Sequence, residues 1–143
     1  MTLVHQQQQL AEAFAHLRDS QERLSWLLAQ ARKRPLMDFS LRTEANRVEG
    51  CMARLWLVAD FREGRCYYQS ESDSLIVKAV AGLLCEFYSG HTPAEILGHP
   101  PDFLTRLGIT QQLTPNRRNG LSLVWDRIRS FAKSHAPAEA HRE

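Results

Sequence analysis

Apolar residues recur at helical spacing at Leu10, Phe14 and Leu17, which predicts an amphipathic helix near the N-terminus. The four glutamines Gln6 to Gln9 read as its frayed start. Asp19, with Glu22 three residues on, has the form of a capping box and opens a second helix. Leu24, Leu27, Leu28 and Ala31 share one face of it, Arg32, Lys33 and Arg34 suit its negative C-terminal end, and Pro35 stops it. Residues 36–48 lose the periodicity and read as a connection. Leu55 to Val58 is an apolar, partly β-branched run expected as a strand, with a turn at Arg62 to Arg65 and a returning strand at Cys66 to Tyr68. Ser72 or Asp73 is expected to cap a long helix through Ile76, Val80, Leu84 and Phe87, closed by Gly90 in a left-handed conformation. That stretch is apolar around most of its girth, which places it centrally.

Thr92, Pro93 and Glu95 stand in the order of cap, first-turn proline and capping-box glutamate. A short helix follows through Phe103 and Leu107 to Gly108. The last helix begins near Asn116 and turns Leu121, Val124, Ile128 and Phe131 inward. The pattern predicts an α+β fold, with a small antiparallel sheet of about three strands flanked by N- and C-terminal helices. It predicts one domain over residues 1–134 and a disordered tail over 135–143.

With 143 residues, 43% hydrophobic and 24% charged, the chain can bury a core without staples and is not a wholly disordered one. A net charge of +2 is too mild to call for a polyanion as partner. Arg117, Arg118, Arg127, Arg129 and Lys133 on the last helix read as a solvated face rather than a phosphate-binding one. No apolar run reaches the ~18 residues of a membrane span, since Lys78 interrupts the best of them. The N-terminal residues lack the apolar core of a secretory signal. The expectation is a cytoplasmic protein with neither nucleic acid nor membrane as partner.

Three cysteines leave at least one thiol free. The six histidines are scattered, with no His-x-x-x-His or Cys-x-x-Cys spacing, so no metal is expected. Neither a nucleophile elbow nor a glycine-rich phosphate loop occurs. Thiol chemistry and simple binding remain. Cys85, in the middle of the most apolar helix, reads as core, and Cys66, opening a strand, as packing. Cys51 follows Gly50 in a loop, where glycine's freedom can present or withdraw the neighbouring thiol. On spacing alone, a carrier or catalytic thiol and a structural one stand about even.

The segment Val48-Glu49-Gly50-Cys51-Met52-Ala53-Arg54-Leu55-Trp56 is similar to the V-x-G-C-x-S-x-V-W signature of the SufE/CsdE family. The likeness continues at Ser72 to Lys78, against S-D-A-x-I-V-K, and at Tyr88 to Ile96, against Y-x-G-x-T-P-x-E-I. It returns at Gln112 to Leu121, against H-L-[ST]-P-S-R-x-x-G-L. The chain departs from the first pattern at Ala53 and Leu55, and has Ser70-Glu71-Ser72-Asp73 where the family has G-D-S-D.

The resemblance implies a sulfur acceptor of iron–sulfur cluster assembly. Its partner would be a cysteine desulfurase, of the SufS or CsdA type, that carries pyridoxal phosphate. By the same resemblance Cys51 accepts the persulfide sulfur and passes it towards an iron–sulfur scaffold complex. The protein would be an activator of its desulfurase rather than an enzyme, and would hold no cofactor of its own. Gly50, Arg54, Asp73 and Arg117 are the supporting residues, with Arg54 or Arg117 candidates for favouring the thiolate and Met52 and Leu55 for sheltering it. Taken alone, Asp73 reads as a helix cap, Arg117 as half of an ion pair and Lys78 as a chain reaching from a buried helix to the surface. The alternatives are a regulator that binds the desulfurase without accepting sulfur, a nucleic-acid binder, and a thiol hydrolase or reductase. The last of these wants a base or a resolving cysteine near Cys51.

Overall fold

Glu63 and Gly64 both lie at positive φ, 52° and 80°, the conformation of a two-residue hairpin turn. They join β1 (Leu55–Arg62) to β2 (Arg65–Ser72) in the computed structural model, which describes residues 1–137. The pairing is antiparallel throughout, from Leu55 opposite Ser72 to Arg62 opposite Arg65. The sheet has these two strands, and single bridges extend it at each edge: Arg47 to Trp56 beside β1, and Cys66 to His91 beside β2. The third strand expected from the sequence is thus reduced to isolated pairings.

The helices run in chain order α1 (Leu3–Ala15), α2 (Ser20–Lys33), α3 (Leu75–Tyr88), α4 (Pro93–Leu97), α5 (Phe103–Arg106) and α6 (Pro115–His135). Asp19 caps α2 by accepting from the Glu22 N–H, and Thr92 and Glu95 complete the capping box of α4. Burial covers ten of the fourteen residues of α3, as a sequence apolar around most of its girth requires. Val124, Ile128 and Ala132 bring α6 onto the same core, which also takes Leu27 and Ala31 from α2 and Leu55 and Leu57 from β1.

Several expectations are corrected. Ser74, not Ser72 or Asp73, caps α3, because the Asp73 carboxylate is spent on the Arg54 N–H and the Ser72 hydroxyl on the Arg54 carbonyl. Gln6 and Gln7 lie inside α1 and hydrogen-bond across to His91 and His99, so the glutamine run is a docking device rather than a frayed start. Lys78 does not reach out to solvent, since its ammonium pairs with the buried Glu71 at 3.1 Å. His135 closes α6 instead of opening a tail, and the tail expected over 138–143 lies outside the described residues.

Candidate functional site

Residues 49–54 form the tip of a narrow turn. Its stem is the Arg47–Trp56 bridge together with the hydrogen bond from the Val48 N–H to the Leu55 carbonyl, 2.8 Å. Arg54, at the far end of the tip, is pinned by the end of β2. Its N–H donates to Asp73 Oδ1 at 2.9 Å, and its carbonyl accepts from the Ser72 hydroxyl at 2.7 Å and the Asp73 N–H at 3.2 Å. The near end is held by α6: Asn119 Nδ2 donates to the Gly50 carbonyl at 3.2 Å, and Arg127 Nη1 to the Arg47 carbonyl at 3.3 Å. Among the described residues, Cys51, Met52 and Ala53 take part in no hydrogen bond. A segment of three residues therefore hangs between two fixed points, next to a glycine at φ +89°.

Cys51 is half-buried, with its sulfur over Gly120 in the second turn of α6. A side-chain carbon on Gly120 would stand 3.0 Å from Sγ, closer than a carbon and a sulfur tolerate. A helix-interior glycine costs ~1 kcal/mol relative to alanine, and here it opens the seat for the thiol. Leu123, a turn further along α6, lies against the Gly50 backbone. Shelter thus comes from α6 and not from Met52, which is 78% exposed; Leu55 is fully buried in the core below the turn. Asn119 and Gly120 escaped the sequence reading as site residues. The interior glycine is the available signal, because a glycine inside a helical pattern costs ~1 kcal/mol against alanine and so asks for a packing reason.

Of the supporting residues, Gly50, Arg54 and Asp73 come together around the turn. Arg54 Nε also lies 3.6 Å from Asp73 Oδ2, an exposed pair of small energetic weight. Arg117 is separate: its N–H meets the Thr114 cap, and its side chain borders a crevice between α3 and α6 with Val77, Leu113 and Leu121. That crevice, about 10 Å³, admits a single water and no ligand. Arg117 has no carboxylate within 4 Å among the described residues. Neither Arg54 nor Arg117 hydrogen-bonds the Cys51 sulfur.

Below the turn, the Glu71 carboxylate is buried at 4% exposure and gathers Lys78 Nζ at 3.1 Å, Arg42 Nη2 at 3.7 Å, the Ser72 N–H at 3.1 Å and the Met37 N–H at 3.4 Å. Burial alone would raise its pKa, but the Lys78 ammonium and the two N–H donors outweigh it and hold the carboxyl below its ordinary value. Cys66 and Cys85 are buried thiols; burial raises the first and pushes the second up to about 12, so both are inert at neutral pH. Among the described residues no three His, Cys, Asp or Glu side chains converge as a metal site, and no helix is long and apolar enough to cross a membrane.

The family model SufE, described as an Fe-S metabolism associated domain, matches residues 8–132. An uncharacterized SufE-like protein of Synechocystis is 31% identical over 135 residues, covering 94% of this chain and 84% of that protein. A chloroplastic/mitochondrial SufE-like protein 1 of Arabidopsis thaliana is 35% identical over 115 residues, 80% of this chain but only 31% of that longer protein. The solution structure of a hypothetical protein from Thermus thermophilus superposes with a TM-score of 0.73 at 28% identity, over 90% of this chain and 94% of that one.

Proposed function

The chain belongs to the SufE family, whose role lies in Fe–S metabolism, and on that premise we propose that it is a sulfur acceptor charged at Cys51 by a cysteine desulfurase. The observation that carries the proposal is the untied Cys51–Ala53 segment, slung between the pinned Gly50 carbonyl and the pinned Arg54 with its thiol parked over Gly120. A sulfur carrier needs both states this arrangement allows. Parked, the sulfur is screened from solvent thiols; released, it can reach a donor held in another protein.

The reaction is an exchange at sulfur. The Cys51 thiolate attacks the outer sulfur of the donor's persulfide, a bond forms between Sγ and that sulfur, and the donor's S–S bond breaks. The donor cysteine leaves as a thiolate, and Cys51 then carries the persulfide to an iron–sulfur scaffold. The pyridoxal phosphate that generates the donor persulfide belongs to the desulfurase. This chain's part is to accept, shelter and hand on one sulfur atom, and by removing it to speed the desulfurase's turnover.

The test is mass spectrometry of the protein after incubation with a desulfurase from the same genome and L-cysteine. One added sulfur atom is expected on the wild type and none on Cys51→Ser. Equal labelling of the two would overturn the assignment of Cys51. Equal stimulation of desulfurase turnover by the two would make the protein a regulator instead.

A further inference from the structure

Four large apolar side chains stand exposed on segments that meet the Cys51 end of the sheet: Leu36 at 71% and Phe39 at 80%, on either side of Met37 whose N–H bonds Glu71, Met52 at 78% in the turn, and Leu75 at 46% at the start of α3. Phe39 is the unusual one, because an exposed aromatic on a loop is ordinarily free to fold back onto the protein. This one is fixed. Asp38 caps a single 3-10 turn, Phe39–Leu41, by accepting from the Ser40 N–H at 2.8 Å, and Asn46 Nδ2 ties the Leu41 carbonyl at 2.8 Å. The Arg42 guanidinium lies 4.0 Å over the centre of the Phe39 ring. Arg42 is itself clamped, to the Met37 carbonyl at 2.9 Å and to the buried Glu71 at 3.7 Å. The result is a phenyl ring carried on a hydrogen-bonded turn, backed on one face by a cation and open to solvent on the other.

The contacts run on from there to Arg54, at the base of the Cys51 turn. Glu71 is followed by Ser72 and Asp73, and those two residues hold Arg54 at the end of the Cys51 tip. Direct transfer requires the donor sulfur to touch Cys51 Sγ. A stable protein interface covers about 800 Å² on each partner, a disc of roughly 16 Å radius, so a donor seated on Cys51 also covers the surface beside it. Aromatic and arginine side chains that are ordered before binding are the usual centres of affinity in such interfaces.

Resting on the sulfur-carrier reading, we propose that the Phe39–Arg42 pair is the docking anchor for the sulfur-donating desulfurase, inserted into an apolar pocket of that protein while Cys51 reaches its persulfide. The ring supplies the affinity and the Glu71 cluster keeps it erect. Cys51 supplies the chemistry and little of the binding, since its segment must stay free to swing.

The experiment titrates each variant into desulfurase turnover assays with L-cysteine and reads the half-saturating concentration together with the sulfur loaded on Cys51. Phe39→Ala is expected to raise half-saturation about 10- to 30-fold while leaving loading at saturation complete. Val4→Ala, the same kind of truncation at an exposed apolar position on α1, is expected to change neither. Unchanged half-saturation for Phe39→Ala beside a wild type that loads normally overturns the anchor and leaves the carrier intact. A wild type that takes no sulfur overturns both. Unchanged uptake with slowed discharge of pre-loaded Cys51 to a thiol acceptor protein assigns the ring to the downstream partner, which also overturns the proposal.

Discussion

The sulfur of Cys51 occupies the space that a side chain on Gly120 would fill, 3.0 Å from the missing carbon. Alanine at 120 therefore acts in two directions. It improves the helix by ~1 kcal/mol, and it crowds a thiol on a segment that no described hydrogen bond holds in place. Overpacking of this kind costs ~1–3 kcal/mol when nothing can yield, but here the Cys51 segment can swing away. Gly120→Ala is expected to leave the melting temperature within a few degrees of wild type and to speed alkylation of Cys51 by iodoacetamide about fivefold or more, the population shift produced by ~1 kcal/mol. Alkylation at the wild-type rate would show that Gly120 is not the thiol's seat.

Asp73 tests what fixes the other end of the turn. Its carboxylate makes a hydrogen bond to the Arg54 N–H and an exposed ion pair with the Arg54 side chain. Asparagine keeps the first and loses the second, whereas alanine loses both. Because exposed pairs are worth little and a backbone hydrogen bond about 1 kcal/mol, Asp73→Asn is expected to unfold in urea close to wild type and Asp73→Ala about 1 kcal/mol earlier. Amide exchange at Arg54 is expected to quicken in the alanine variant alone. Identical losses in both would mean that the charge, rather than the acceptor, holds the turn.

Local rules made most of the fold legible. The caps at Asp19 and Thr92, the turn at Gly64, the left-handed Gly90, the helix end at Gly108 and the largely apolar α3 each announce themselves within a few residues. What stayed hidden joins distant residues. Nothing near Lys78 points to Glu71 as a buried partner, since both could reach solvent from an isolated helix or strand. Asp73 looks like a cap because it precedes an apolar run, and only the arrival of Arg54 from nineteen positions upstream diverts it to another donor. The site was half visible: Gly50 and Cys51 stand out as a motif, but the parking place on α6 depends on how the turn lies across that helix. Gly120 carried the one trace of it, as a glycine where α6 would be better served by alanine.

Glu71 is expected to be the most costly residue to remove. Glu71→Ala leaves Lys78 and Arg42 facing each other with no carboxylate between them, a loss of about 3–5 kcal/mol by analogy with broken buried pairs. It would also release Arg42 from beneath the Phe39 ring. The acid side follows from the lowered pKa: the folded state prefers ionised Glu71, so its contribution is full above the ordinary glutamate value, ~4.3, and is lost as pH falls through the lower folded value. Glu71→Gln is therefore expected to be less stable than wild type at neutral pH and to lose less stability between pH 5 and pH 3, as read from urea midpoints. Parallel wild-type and Glu71→Gln curves would remove Glu71 from the acid transition.

The clasp on α1 predicts a second, milder pH effect. Gln6 spans from the Phe87 carbonyl, 2.8 Å, to the buried His91 Nε2, 2.6 Å, and the Gln7 amide oxygen meets His99 Nε2 at 2.8 Å. Gln9, exposed, is the internal control. Gln6→Ala strands the His91 ring nitrogen and is expected to cost ~1–3 kcal/mol, with amide exchange along α1 quickening first; Gln9→Ala is expected to change neither. His99 is held below the ordinary histidine value, chiefly by burial, with Arg106 and His91 adding to that effect and Asp102 opposing it. Neutral His99 therefore favours the folded protein. Its contribution is present above about pH 6.5 and is lost as pH falls through the lowered folded value. Wild type is expected to lose more stability than His99→Gln between pH 7 and pH 5. An equal loss in the two would show that α1 stays docked through the histidine's titration.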